Sequence, residues 1–178
     1  MSATFDSAFK RLLQYEGGYT NDPKDRGNWT TGIIGKGECK GTKYGISAMS
    51  YPDLDIKNLT ENQAKEIYKK VYWTDIGLDK LEPCLAVQLF DAAVQHGTKV
   101  SVRLLQEIIG VGTDGILGAG TLSTIKFLNQ KVLSYKYIAR RLKYYVSLRV
   151  FTTYGKGWIN RMASLLEDAA TENEEVSL

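Results

Sequence analysis

The chain is poor in several things that enzymes commonly rely on. Among its 178 residues there is a single histidine, His96, and there are two cysteines, Cys39 and Cys84. A zinc site draws three or four ligands from closely spaced His and Cys, so this inventory argues against a zinc hydrolase and no metal or cofactor is expected. The cysteines are far apart, form no CxxC pair and read as reduced thiols. A nucleophile built from Cys39 and His96 would need the two to meet in space, and neither sits in a local motif for it. No apolar run approaches the roughly 20 residues that a membrane span requires. The opening stretch, MSATFDSAFKRLLQYEGG, has no basic segment followed by an apolar stretch and a cleavage site, so no secretory signal is expected. Internal repeats and low-complexity linkers are likewise missing.

What the chain does have is ordinary globular composition, 43% hydrophobic and 24% charged, with an uneven distribution of charge. Residues 1–98 carry 12 basic against 13 acidic side chains, a net of −1. Residues 99–162 carry 11 basic and 2 acidic ones, a net of +9, and residues 163–178 have 5 acids and no bases. The late segment therefore projects a positive field toward a polyanion, for which nucleic acid and an anionic cell wall both qualify.

The hydrophobic pattern predicts a first helix from about Thr4 to Glu16, with Phe5, Ala8, Phe9, Leu12 and Leu13 on one face. Gly17 and Gly18 stop it. From Thr20 to Tyr51 closely spaced glycines punctuate short segments such as WTTGII and KYGIS, which predicts a small antiparallel sheet or a pair of hairpins. Helices resume at the capping box Thr60–Gln63, followed by Ala64, Ile67, Tyr68, Val71 and Tyr72. Another starts at Pro83, and a third, about 100–109, ends at Gly110. The glycine-rich GVGTDGILGAG leads into a short helix; a long basic helix over about 131–152 and a last one over about 157–169 follow. The fold class is mainly α (α+β), helical with a small N-terminal β-hairpin lobe.

Glu16 is the odd residue in this pattern. It continues the series of Phe5 about 20° away around the helix, which places a carboxyl on the apolar stripe. Desolvation there would favour the protonated form, as a general acid for glycoside cleavage requires. Asp25 follows nine residues later in a polar Gly/Asn-rich loop. Two carboxyls in opposite environments make an acid and its helper; the plain alternative is a solvent-exposed carboxylate at a helix end.

The stretch Glu16-Gly17-Gly18-Tyr19, with Asn21-Asp22-Pro23 and Asp25 behind it, resembles the signature of glycoside hydrolase family 108. It also fits the phage-type lysozyme pattern of Glu, eight residues, Asp, five residues, Thr. NLTENQAKEIYKKVYW and FDAAVQHG resemble the family's next two helices, and VGTDGILGAGTLSTI resembles the start of a peptidoglycan-binding lobe. The resemblance implies a lysozyme-like fold and a phage endolysin that cuts bacterial peptidoglycan between N-acetylmuramic acid and N-acetylglucosamine. Glu16 would be the acid and Asp25 the second carboxylate. The lysozyme pattern points to Thr31, the family motif to Thr30, and the GTKYGIS block adds Thr42.

Further candidate glycan contacts are Tyr19, Tyr44, Tyr72, Trp73, Gln95 and His96. Tyr72 and Trp73 offer aromatic faces for sugar rings or else belong to the core. Gln95 and His96 offer polar groups at a helix end, where a capping histidine is the plain alternative. Asp91 on the same helix reads as structural. The implied organisation is a catalytic lobe over 1–97, a peptidoglycan-binding-like lobe over 98–170 and an acidic flexible tail over 171–178. Peptidoglycan is the expected partner of a monomer, with no nucleic acid and no stable membrane insertion. The chain would be made in the host cytoplasm and act on the periplasmic wall after release. A lytic transglycosylase and a non-catalytic wall-binding module are the competing readings.

Overall fold

The computed structural model describes residues 2–14 and 17–175. The chain forms two compact units, Met1–Val71 and Tyr72–Leu178. Seven α-helices and one two-stranded sheet make up its regular structure among the described residues.

In the first unit, α1 (Ser2–Leu13) and α2 (Glu61–Lys69) pack against each other. Phe5, Ala8, Phe9 and Leu12 are buried, as the stripe predicts, and Phe9 meets Tyr68 of α2 with ring centroids 5.7 Å apart. Ile46, Ile56, Leu59 and Ala64 complete this core. The predicted capping box is formed: the Gln63 amide N–H donates to Thr60 Oγ1 at 3.2 Å and the Thr60 N–H to Gln63 Oε1 at 2.8 Å. Each bond satisfies a donor that the helix itself leaves open.

The glycine-rich stretch is mostly irregular. Its sheet consists of β1 (Thr42–Lys43) and β2 (Ile46–Ser47), antiparallel with Lys43 opposite Ile46. The connecting residues Tyr44 and Gly45 have φ of 51° and 74°, the type I′ geometry that matches strand twist. Isolated bridges pair Thr20 with Thr42 and Trp29 with Cys39, the second closing a loop over residues 30–38.

In the second unit, α3 (Pro83–His96) is buried from Leu85 to Ala93 and packs on α4 (Thr98–Ile109) and α6 (Gln130–Ser147). The change of charge near residue 98 therefore falls inside a packed unit. The short α5 (Ala119–Ile125) lies against α4, and α7 (Phe151–Glu175) against α6. Ile138 and Tyr145 of α6 bury against Met162 and Leu165 of α7.

Several boundaries differ from the pattern, beginning with α1, which ends at Leu13 and not at about Glu16. The long helix stops at Ser147 and not at about residue 152, and the next begins at Phe151, ahead of its expected start near Gly157. Gly155 is required within α7 because the Phe151 ring lies over it; a Cβ there would sit 2.7 Å from Cε2 of Phe151. The helix then runs to Glu175, through most of the stretch assigned to a tail.

Candidate active site

Asp25, Thr30 and Thr31 lie in the irregular glycine-rich loop, and a buried amide organises it. Asn28 is fully buried in the Gly/Asn-rich segment. Its Nδ2 donates to Asp22 O at 3.0 Å, and its Oδ1 accepts from Thr42 Oγ1 at 2.7 Å. Its own carbonyl accepts from the Gly41 N–H at 3.1 Å. One side chain thereby ties the Asp22–Asn28 turn to β1. Gly41 has φ of 89°, and a Cβ there would lie 2.4 Å from Thr20 O and 2.7 Å from Cε2 of Tyr19, so glycine is required.

Asp25 is exposed at the start of the 3₁₀ turn Arg26–Asn28, which it caps: its Oδ1 accepts the Gly27 N–H at 2.9 Å. That bond fixes the carboxylate's direction through one oxygen. Glu16 lies outside the described residues. The three candidate threonines are used differently. Thr31 Oγ1 donates to Lys36 O at 2.8 Å within its own loop, and Thr42 Oγ1 is spent on Asn28. Thr30 Oγ1 accepts the Glu38 N–H at 3.1 Å, and its hydroxyl proton is committed to no acceptor among the described residues.

Tyr19 is 36% exposed. Tyr44 is half-buried at its positive φ, with its carbonyl accepting from Tyr68 Oη at 3.0 Å and Lys43 Nζ 5.4 Å from its ring centroid. A tyrosine in the left-handed region costs about 1 kcal/mol or more, a strain that draws attention to this turn. Trp73 takes the core alternative of its two readings. It is 3% exposed, donates Nε1 to Asp79 Oδ1 at 2.7 Å and packs edge-on to Phe90, which leaves no face for a sugar ring. The cause is a π-helical turn over Lys70–Thr74, whose longer repeat carries Trp73 inward where an α-helical count would carry Tyr72. Tyr72 is half-buried, and burial raises its phenol pKa.

Gln95 and His96 end α3 beside a buried charged cluster. Asp91 Oδ2 accepts from Arg141 Nη2 at 2.7 Å, and its Oδ1 from Arg161 Nε at 2.9 Å and Nη2 at 2.5 Å. Burial by itself would raise the Asp91 pKa, but the two guanidiniums outweigh it and hold the carboxyl below its ordinary range. His96 sits edge-on to Tyr144 and Tyr145, at 5.1 and 5.0 Å between centroids. Burial, reinforced by Arg141, lowers its pKa to about 4, so the ring is neutral at physiological pH.

The sequence reading missed this cluster's partners, although a signal existed. Ser134, Tyr137, Ile138, Arg141 and Tyr145 are all buried and spaced as one helical face, so Arg141 belongs to an apolar stripe and not to a solvated basic surface.

Among the described residues no group of three or more His, Cys, Asp or Glu is placed to hold a metal, no disulfide forms, and no helix is long and apolar enough to cross a membrane. The whole chain is similar to the solved structure titled "Structure of Brucella abortus SagA", with a TM-score of 0.78 and 28% sequence identity over 96% of both chains. No curated protein is significantly similar in sequence. Residues 9–97, which contain the Asp25 turn, the Asn28 clamp and α3 with Gln95 and His96, match the family model described as Glycosyl hydrolase 108. With half its length covered by that model and a lysozyme-like, mainly helical fold around it, the chain belongs to glycosyl hydrolase family 108, whose members are peptidoglycan-degrading glycosidases.

Proposed function

We propose that the chain is a phage endolysin of the muramidase type, which cuts peptidoglycan between N-acetylmuramic acid and N-acetylglucosamine. Glu16 gives its proton to the leaving glycosidic oxygen, and Asp25 serves the opposite side of the sugar as the second carboxylate. The observation that carries this reading is the state of Asp25. Its backbone-capped carboxylate is exposed, has one oxygen oriented and is engaged by no cation among the described residues. Thr30 serves as the accompanying threonine, a choice supported by its uncommitted hydroxyl proton. Tyr19, Tyr44, Tyr72, Gln95 and His96 contact the glycan. The chain acts as a monomer on the wall once it leaves the host cytoplasm.

The test is lysis of permeabilised Gram-negative cells by the wild type and Glu16→Gln, with mass spectrometry of the released fragments. Glu16→Gln keeps volume and removes the transferable proton, so lysis should fall about 10²–10⁴-fold with the melting temperature unchanged. Fragments should end in reducing N-acetylmuramic acid. Anhydro ends would assign a lytic transglycosylase instead. A folded Glu16→Gln variant retaining more than about a tenth of wild-type activity sinks the assignment.

A further inference from the structure

The last turn of α3 contains an amide whose orientation is fixed from behind. Gln95 Oε1 accepts from Arg141 Nη2 at 3.0 Å and also from Tyr145 Oη. Arginine has no acceptor atom, so the Gln95 atom facing it must be the carbonyl oxygen, and a flipped amide would lose the bond to Arg141. Arg141 in turn is fully buried and cannot swing away, because Asp91 Oδ2 holds the same Nη2 at 2.7 Å and Nη2 also reaches Tyr145 Oη at 3.0 Å. Tyr145 is stacked on Trp158, 4.9 Å between centroids. The other end of Gln95 is different. The residue is half-exposed, and its Nε2 makes no hydrogen bond among the described residues. The outward end is therefore a donor only.

From this geometry we infer that Gln95 is a fixed hydrogen-bond donor to an acyl carbonyl oxygen of an N-acetylated sugar, and that Arg141 is the positioning residue that sets its sense. The inference rests on the peptidoglycan reading above and assigns one recognition element within it. A sugar hydroxyl both donates and accepts, so it would tolerate either amide orientation; an acyl carbonyl only accepts and gains from an amide that cannot turn. Two donors on Oε1, one of them cationic, also polarise the amide and strengthen its N–H groups. Asp91 and Gln95, one turn apart on an otherwise apolar helix, both accept from Arg141 Nη2, so the support runs from the buried carboxylate to the ligand-facing amide.

The test compares hydrolysis of soluble N-acetylated glycan fragments with that of their N-deacetylated counterparts. Gln95→Glu keeps the shape and the bonds to Arg141 and Tyr145 but presents an acceptor outward. It should raise KM for the acetylated glycan about tenfold, the loss of one hydrogen bond of about 1.4 kcal/mol, with kcat little changed. The deacetylated glycan, whose amine is a cation with no acyl oxygen, should show no such rise in KM with this variant. Arg141→Lys should raise KM less, and should add nothing when combined with Gln95→Ala, because it acts through that amide. Where Arg141→Lys does not fold, Tyr145→Phe removes the other donor and carries the same expectation. An unchanged KM in a folded Gln95→Glu variant, or additive losses in the double variants, overturns the inference while leaving the function intact. A wild-type chain inert toward every glycan overturns the functional reading and this inference with it.

Discussion

Asp25 and Asp91 carry the same side chain into opposite surroundings. Asp25 lies on an exposed turn, oriented by one backbone N–H and approached by no side-chain cation among the described residues. Asp91 lies inside a helical unit, with both oxygens taken by arginines from α6 and α7. A carboxylate that must act on a ligand needs an oxygen to spare and access to it; one that organises a core needs neither. Residue type does not separate the two, but their partners do.

The largest effect should come from removing the buried partner. Asp91→Asn leaves two guanidiniums short of their counter-charge in the interior, a loss of about 3–5 kcal/mol. Thermal unfolding should show a melting temperature lower by about 10 °C or more. Asp25→Asn inverts that outcome. Asparagine caps a helix start as well as aspartate, so the melting temperature should hold while lytic activity drops by about 10²-fold. Equal stability losses for the two variants would erase the distinction drawn here.

A smaller effect sharpens it. His96 is held neutral by burial and by Arg141, with a folded pKa near 4 against an ordinary 6.5. Below 6.5 the unfolded chain binds the proton more readily than the folded one, so stability is full above that pH and declines as pH falls toward about 4. His96→Gln should flatten this part of a melting-temperature profile. The mildest effect concerns charges that do face water. Lys136 and Lys143 of α6 are exposed, and wall lysis should weaken as salt screens them, with a Debye length of about 8 Å at physiological ionic strength. Reversing both to Glu should blunt the salt dependence, which a turbidity series would reveal.

Local chemistry was legible in the sequence; long-range pairing was not. Thr60 and Gln63, Pro83, and Gly110 mark helix ends through bonds or angles that involve only their neighbours, and each stands where the pattern puts it. The hairpin turn at Tyr44–Gly45 is equally local. Arg161 reaches Asp91 across 70 residues and Tyr145 reaches Gln95 across 50, and no periodicity encodes such a meeting. The early start of α7 was hidden for a related reason: the cost of Gly155 in a helix is a local property, but the Phe151 ring that lies over it is visible only once the turn is built. Trp73 was lost to a π-helical turn, which shifts every later side chain by a fraction of a turn. For the site, the polar loop of Asp25 was legible as an irregular, exposed segment, while Glu16 lies outside the described residues.

The Asn28 clamp has a consequence for how the loop opens. A sheet of two residues per strand cannot stand unaided, and the turn that presents Asp25 has little apolar packing of its own. Its order depends on one residue, Asn28, whose side-chain amide binds Asp22 and Thr42 and whose backbone carbonyl binds Gly41. Segments tied through one node come apart together, so the amides of Gly27, Asn28, Gly41 and Thr42 should exchange with solvent hydrogen at a common rate, set by a single local opening well below the free energy of global unfolding. Heating would then silence the enzyme while its helices are still intact, and the temperature at which it stops working would be a property of Asn28 and not of the core.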